Sequence, residues 1–284
     1  VSAISASLVD DSGNTLLTMD RDTSGLVLNA IDLGYPTVRE ATTALAGQDG
    51  ELDLTQFTGG RAITAEVTLP VTGVGPLMDT VRGLMHPGRR MWLHVHRDDW
   101  GADRMIRVRG ASLTAPNGSL PLKAQLGWKA PGATFQDTAL SSVALLPVGN
   151  SGGGGMSFPM SFPETFQPGL VPGASILTVN GNVNAPPVID IYGPCSGPLF
   201  RVVDTGVQMS FSTLTVNAGD YLHIDVAARS ITINGDPSQS RYSYLDFSAS
   251  GWPTLPPGSP EVVFSPASSS AGCEAVLSWR SQWS

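Results

Sequence analysis

Strict alternation of apolar and polar residues runs through much of this 284-residue chain and predicts half-buried β-strands. Ile63, Ala65, Val67 and Leu69 alternate with Thr64, Glu66 and Thr68; Leu122, Ala124, Leu126 and Trp128 alternate with Lys123 and Gln125. Met91–His96 and Arg104–Arg109 read as two further strands joined by a polar loop at Asp98-Asp99. One segment changes period. From Pro76 to Met85 the apolar residues Leu77, Val81 and Leu84 fall on one helical face, and His86, Pro87 and Gly88 end the helix. Residues 1–150 therefore read as a β domain with one short helix.

The pattern breaks at residues 151–174, where four glycines (Gly152 to Gly155) precede a stretch of Phe-Pro pairs. With no side chains to pack, polyglycine has the largest backbone entropy to lose, so this stretch reads as a linker or loop. Short strands resume in residues 175–284: Val188–Tyr192, Leu199–Val203, Val207–Phe211, Tyr221–Val226 and Ser230–Asn234. Asn217-Ala218-Gly219-Asp220 and Asn234-Gly235-Asp236-Pro237 supply turn chemistry between them. Near the end, Ala275, Leu277, Trp279 and Trp283 are expected on one face of a last strand. The second half reads as an antiparallel β-sandwich.

Composition narrows the function. Thirty-two glycines and 22 prolines disfavour long helices, while 41% hydrophobic and 14% charged residues exclude a disordered chain. A net charge of −8 argues against a general nucleic-acid binder, since phosphates need a positive field. The charge is uneven: 12 of the 16 basic residues precede Gly149, and seven arginines lie from Arg82 to Arg109. That stretch has three readings: a solvated face balanced by Asp79, Asp98, Asp99 and Asp103, pairing between subunits, or a channel lining that meets DNA. The first two are favoured, because a channel that must release DNA gains nothing from tight phosphate binding. The first twenty residues lack the features of a signal peptide, and no apolar run is long enough to span a bilayer. A soluble protein is expected.

No catalytic constellation emerges. Gly149-Asn150-Ser151-Gly152-Gly153 looks like a protease nucleophile motif, but no histidine and aspartate stand in a matching context. His94 and His96 would share a strand face with Asp98, Asp99 and His86 nearby; a zinc site needs a further ligand placed by the fold, so no metal is expected. Cys195 and Cys273 read as buried thiols in a reducing compartment, with a single bridge as the alternative if the strands that carry them are adjacent. Trp252, Tyr221, His223 and Asp225 could offer a sugar an aromatic platform with polar groups, but Trp252 falls in a Trp-Pro turn and the other three on one strand face, so a scaffold role is favoured.

In the second half, Asn180-Gly181-Asn182, Ala185-Pro186-Pro187 and Ile189-Asp190-Ile191-Tyr192-Gly193-Pro194 are followed by Thr205-Gly206 and Ala218-Gly219-Asp220-Tyr221-Leu222-His223-Ile224-Asp225. Then come Arg229 to Gly235, Trp252-Pro253-Thr254-Leu255-Pro256-Pro257-Gly258 and Ala275 to Arg280. In order and spacing this run resembles the siphophage distal tail proteins, whose actinobacteriophage relatives are usually termed minor tail proteins. Gly50 to Leu54, Gly59-Gly60-Arg61 and Met85-His86-Pro87-Gly88 look like the family's belt domain. The resemblance implies a mainly β protein: a split β-barrel-like belt domain (1–150) with one short helix, a linker (151–174) and a galectin-like sandwich (175–284). It further implies a hexameric ring at the distal end of the tail, in the virion, assembled in the host cytoplasm. Its partners would be its own copies, the tail tube protein and the tail-associated hub protein, with no membrane or specific nucleic-acid contact. No catalytic residue, metal or cofactor is expected; a carbohydrate-binding adhesin of the tail tip is the alternative.

Overall fold

A computed structural model describes residues 4–21, 26–39, 42–44, 49, 51–53, 57–70, 73–115, 122–147 and 174–284. Residues 151–173 of the proposed linker, Ser151 among them, lie outside the described residues, and its last residue, Ala174, opens a strand. The chain forms two compact units, residues 1–139 with 283–284, and residues 140–282.

The first unit opens with β1 (Ile4–Val9), β2 (Thr15–Asp20) and β3 (Leu26–Asp32). A ribbon follows, in which β4 (Val38–Arg39) pairs with β7 (Phe57–Thr58) and β5 (Thr42–Ala44) with β6 (Glu51–Asp53). Then come β8 (Arg61–Thr68), helix α1 (Val74–Leu84), β9 (Arg90–Arg97), β10 (Arg104–Thr114), β11 (Lys123–Ala130) and β12 (Phe135–Asp137). Neighbouring strands run in the order β11-β8-β3-β2-β1-β9-β10, and β10 pairs again with β11, so seven strands close into a barrel. β10 manages both contacts because it is long: Arg104–Arg109 pair with β9 and Arg109–Thr114 with β11. The weakest seam is the parallel β2–β3 contact, with only Met19↔Leu26 and Asp20↔Val27 in register.

Alternation fills the barrel. Ile63, Ala65 and Val67 of β8, Met91, Leu93 and Val95 of β9, and Leu126 and Trp128 of β11 are all buried in one cluster. Burying each such large side chain contributes about 1.5–3 kcal/mol. Helix α1 adds Met78, Val81 and Leu84. It starts two residues earlier than the pattern predicts, from Gly73 in the left-handed region, so Pro76 sits in the first turn where its missing N–H costs nothing. Met78 rather than Leu77 is buried, although Leu77 packs partly against the same cluster. The Gly59-Gly60 pair precedes β8 because a Cβ at Gly60 would lie 2.3 Å from the Ala130 carbonyl oxygen, and one at Gly59 2.4 Å from the Thr37 hydroxyl.

The second unit contains β13 (Ser141–Leu145), β14 (Ala174–Ile176), β15 (Val188–Tyr192), β16 (Cys195–Ser196), β17 (Leu199–Val202) and β18 (Gln208–Ser210). It continues with β19 (Thr215–Val216), β20 (Tyr221–Asp225), β21 (Ser230–Ile233), β22 (Glu261–Phe264), β23 (Ser268–Ser269) and β24 (Glu274–Trp279). Two main antiparallel sheets, β13-β24-β15-β20-β21 and β14-β22-β17-β18, share one core in which Ile189, Ile191, Phe200, Leu222, Ile224, Phe264 and Leu277 are buried. Asn234 and Gly235 both take positive φ, 55° and 68°, and the Asp236 N–H donates to the Ile233 carbonyl, as a type I′ turn requires.

Two boundaries differ from the sequence reading. Ser141–Leu145, expected in the first domain, pairs residue for residue with Trp279–Ala275 of β24 and belongs to the second unit. The alternating stretch around it carries no sign of which sheet it joins. Trp283, expected on one face with Ala275, Leu277 and Trp279, belongs to the first unit.

Candidate functional site

The most chemically marked surface lies on the first unit, where β9 and β10 carry the arginine-rich stretch. Period two turns Met91, Leu93 and Val95 inward, so Arg90, Trp92, His94 and His96 point away from the core. On β10, Ile106 and Val108 are buried and Arg107 and Arg109 take the other face.

Most of the charges are matched. Arg82 pairs with Asp79 one helical turn away at 3.1 Å, and Arg97 forks onto Asp99 with bonds of 2.9 and 2.8 Å. Arg107 donates to Asp11 at 2.9 Å and lies over the Trp92 ring, whose indole N–H donates to the same carboxylate at 3.1 Å. Arg104 is held between two indoles, 4.0 Å from the Trp100 centroid and 3.8 Å from that of Trp283. The Trp283 N–H in turn donates to Asp137 at 2.7 Å. The expected balancing carboxylates thus serve in part: Asp79 and Asp99 do, whereas Asp98 and Asp103 turn to His96, and Asp11 is a partner that local sequence could not supply. Burial lowers the pKa of Arg104, and of Arg61, whose guanidinium donates to the Gly34 and Ala133 carbonyls over the Phe135 ring.

Arg89, near Asp10, and Arg90, Arg109 and Lys129 remain; the last three form a group. Arg109 stands directly opposite Arg90 of β9 and Lys129 of β11, and all three are exposed. None makes an ion pair among the described residues.

His94 and His96 line a shallow groove of about 340 Å3 with Ser5, Ser7, Thr18 and Asp103. His96 Nδ1 lies 2.6 Å from Asp103 and Nε2 3.4 Å from Asp98, and the Asp103 hydrogen bond, above all, raises the imidazole's pKa above 6.5. Both ring nitrogens thus face carboxylates. Among the described residues no group of three or more His, Cys, Asp or Glu is arranged to hold a metal ion.

On the second unit, the four residues considered for sugar binding fall into two groups. Tyr221 lies tilted against Tyr192, centroids 5.3 Å apart, and His223 Nδ1 meets Asp190 at 2.6 Å across the β15–β20 register; Asp225 accepts from the Ala228 N–H in the turn that follows. Trp252 instead packs against the core and stacks on Tyr242 at 6.1 Å, and Phe247 lies 5.4 Å from that same tyrosine. Sequence reading did not single out Tyr242 or Phe247; an Arg-Tyr-Ser-Tyr run in a loop carries no periodic signal. Cys195 and Cys273 are free, buried thiols, and burial together with the neighbouring Cys195 pushes Cys273 up to about 12.

Residues 180–283 match the family model of the siphovirus-type tail component, C-terminal domain. Among solved structures, the Dit protein of phage SPP1, described as a paradigm of hub adsorption apparatus in phages infecting Gram-positive hosts, aligns over 98% of both chains with 11% identity and a TM-score of 0.63. The phage P2 baseplate in its activated conformation with calcium aligns over 98% of both chains at 11% identity, with a TM-score of 0.49. No curated protein sequence matches the chain. The motif run that resembles this family lies in the second half, and the fold likeness spans the first unit as well. The chain thus shares the fold of the SPP1 Dit protein along its length, and residues 180–283 carry the signature of the siphovirus-type tail component, C-terminal domain.

Proposed function

We propose that this chain is a non-catalytic structural protein that closes into a ring, hexameric by family analogy, at the distal end of a siphophage tail. There it would join the tail tube to the tail-associated hub protein and the host-attachment apparatus. The observation that carries the reading is a coincidence of two independent likenesses: a family signature confined to the second unit, and a fold shared with a hub adsorption protein along the whole chain.

The barrel bears on how a ring would form. β10 and β11 pair with each other, so that seam offers no open edge for strand pairing between neighbouring copies. The ribbon β4–β7 with β5–β6 has no third strand among the described residues. A two-stranded ribbon is marginal alone in water, so it gains from being covered by a neighbouring copy. Mass photometry of the purified chain and of detached tails should show a single closed species at six times the protomer mass. A monomer in solution and no cyclic density in the tail would overturn the reading.

The adhesin alternative has one observation in its favour. Tyr242 and Phe247 are 39% and 61% exposed beside Trp252, and the preceding residues Gln239 and Arg241 line a polar pocket of about 180 Å3 with Asn217 and Asp220. Titration with cellohexaose and chitohexaose, read by the Trp252 indole resonance, should leave the protein unchanged if scaffolding is its sole role.

A further inference from the structure

We infer that Arg90, Arg109 and Lys129 form a basic docking strip for a second copy of this chain, and that the occupant is the neighbour's acidic ribbon. The inference rests on the ring reading above and assigns its interface.

The strip is a product of register. Residues directly opposite in an antiparallel pair stand with Cβ atoms about 4.5–5.5 Å apart, and like charges there repel. Arg109 has a cation on each side, Arg90 and Lys129. The closed barrel cannot relieve this by slipping, because a one-residue shift would turn Met91, Val108 and Trp128 out of the core. Nor do the carboxylates described above relieve it: Asp11 is engaged by Arg107 and Trp92, Glu66 by Lys123 at 3.2 Å, and Asp79 by Arg82. Three exposed cations are thus held together by backbone pairing with no anion of their own among the described residues.

Charge complementarity points to the occupant. The stretch from β4 through β7 carries Glu40, Asp49, Glu51 and Asp53 against Arg39 alone. A cyclic ring repeats one heterologous contact, so each copy must present two different, complementary surfaces. A basic strip on the barrel and an acidic ribbon outside the barrel sheet meet that requirement in one chain. Nucleic acid is the weaker occupant: three cations on a chain of net charge −8 give no extended positive field.

The test uses the full chain. With wild type forming rings, R109E with K129E should reduce the ring population at least tenfold at equal concentration, and R109Q with K129Q should do so less. Adding E51K with D53K to the first pair should restore the ring, and rising salt should disperse the wild-type ring as screening shortens the reach of these charges. Far-UV circular dichroism checks that every variant is folded. Absence of any wild-type ring, in solution or tails, breaks the ring reading itself. Rings that persist in R109E with K129E overturn the strip, and failure of the E51K with D53K rescue overturns the ribbon as its occupant. Duplex DNA retained by wild type and released by the glutamate variant would make the surface a nucleic-acid contact and overturn the proposal.

Discussion

The two units solve the same problem, burying alternating strands, with opposite surface chemistry. In the first unit the cations are organised: every arginine–aromatic contact found among the described residues lies there, from Arg61 over Phe135 to Arg104 between Trp100 and Trp283. The second unit holds four of the 16 basic residues, and its outer faces use tyrosine pairs, serines and a His223–Asp190 contact. Its backbone, in contrast, is tightly specified, with positive φ at Arg229 and Asn234 and at seven glycines from Gly181 to Gly272. Left-handed positions tolerate few residue types, so they leave a legible signature. Surface charges tolerate many, which explains why the family signature sits in the second unit while the candidate assembly surface sits in the first.

The largest expected effect tests whether each unit has its own core. Phe264 is fully buried in the second, and Phe264→Ala should cost about 3–5 kcal/mol. Calorimetry should show one transition falling while the barrel's transition stays; a common shift of both would break the comparison. Next is the domain boundary. A fragment of residues 176–284 lacks β13, whose five residues pair with β24 and whose Leu145 is buried. It should be less stable to urea than residues 140–282 by about 1.5–3 kcal/mol from that side chain alone. Equal stability would return residues 141–145 to the first domain.

Trp283→Ala should destabilise the first unit by about 1–2 kcal/mol, since it removes one face of the Arg104 sandwich and leaves Asp137 without the indole donor. Trp283→Phe should recover part of the loss, and an unchanged barrel transition would show the contact to be idle. The smallest effect concerns His96. Because its folded pKa is raised, its pairing with Asp103 and Asp98 contributes fully below about pH 6.5 and is lost as pH rises through the folded value. NMR titration should place the His96 midpoint above 6.5 and move it down in Asp103→Asn; a midpoint insensitive to that change would assign the shift elsewhere.

Alternation alone located β8, β9, β11, the first half of β10 and, in the second unit, β15, β17, β18, β20, β21 and β24, because a half-buried strand must alternate whatever its neighbours are. The helix was legible from its period, and the 234–237 turn from the Asn-Gly pair. Pairing partners were not. Whether Ser141–Leu145 joins a barrel or a sandwich depends on which edge is free, a property of the assembled sheet. The separation of Trp252, in a Trp-Pro turn, from Tyr221, on a strand face, was legible in sequence; their aromatic partners Tyr242 and Tyr192 were not, because packing chooses them.

The sequence by itself determined the mainly β class, the short helix and the change of character after residue 147, which follow from local period and turn chemistry, and it carried the resemblance to distal tail proteins in the order of its motifs. Tertiary structure decided the closure of the barrel through the two halves of β10, the return of Trp283 to Arg104, and the alignment of Arg90, Arg109 and Lys129. Those depend on register between strands far apart in the chain, where one residue's slip exchanges core for surface and no local pattern records which pairing wins.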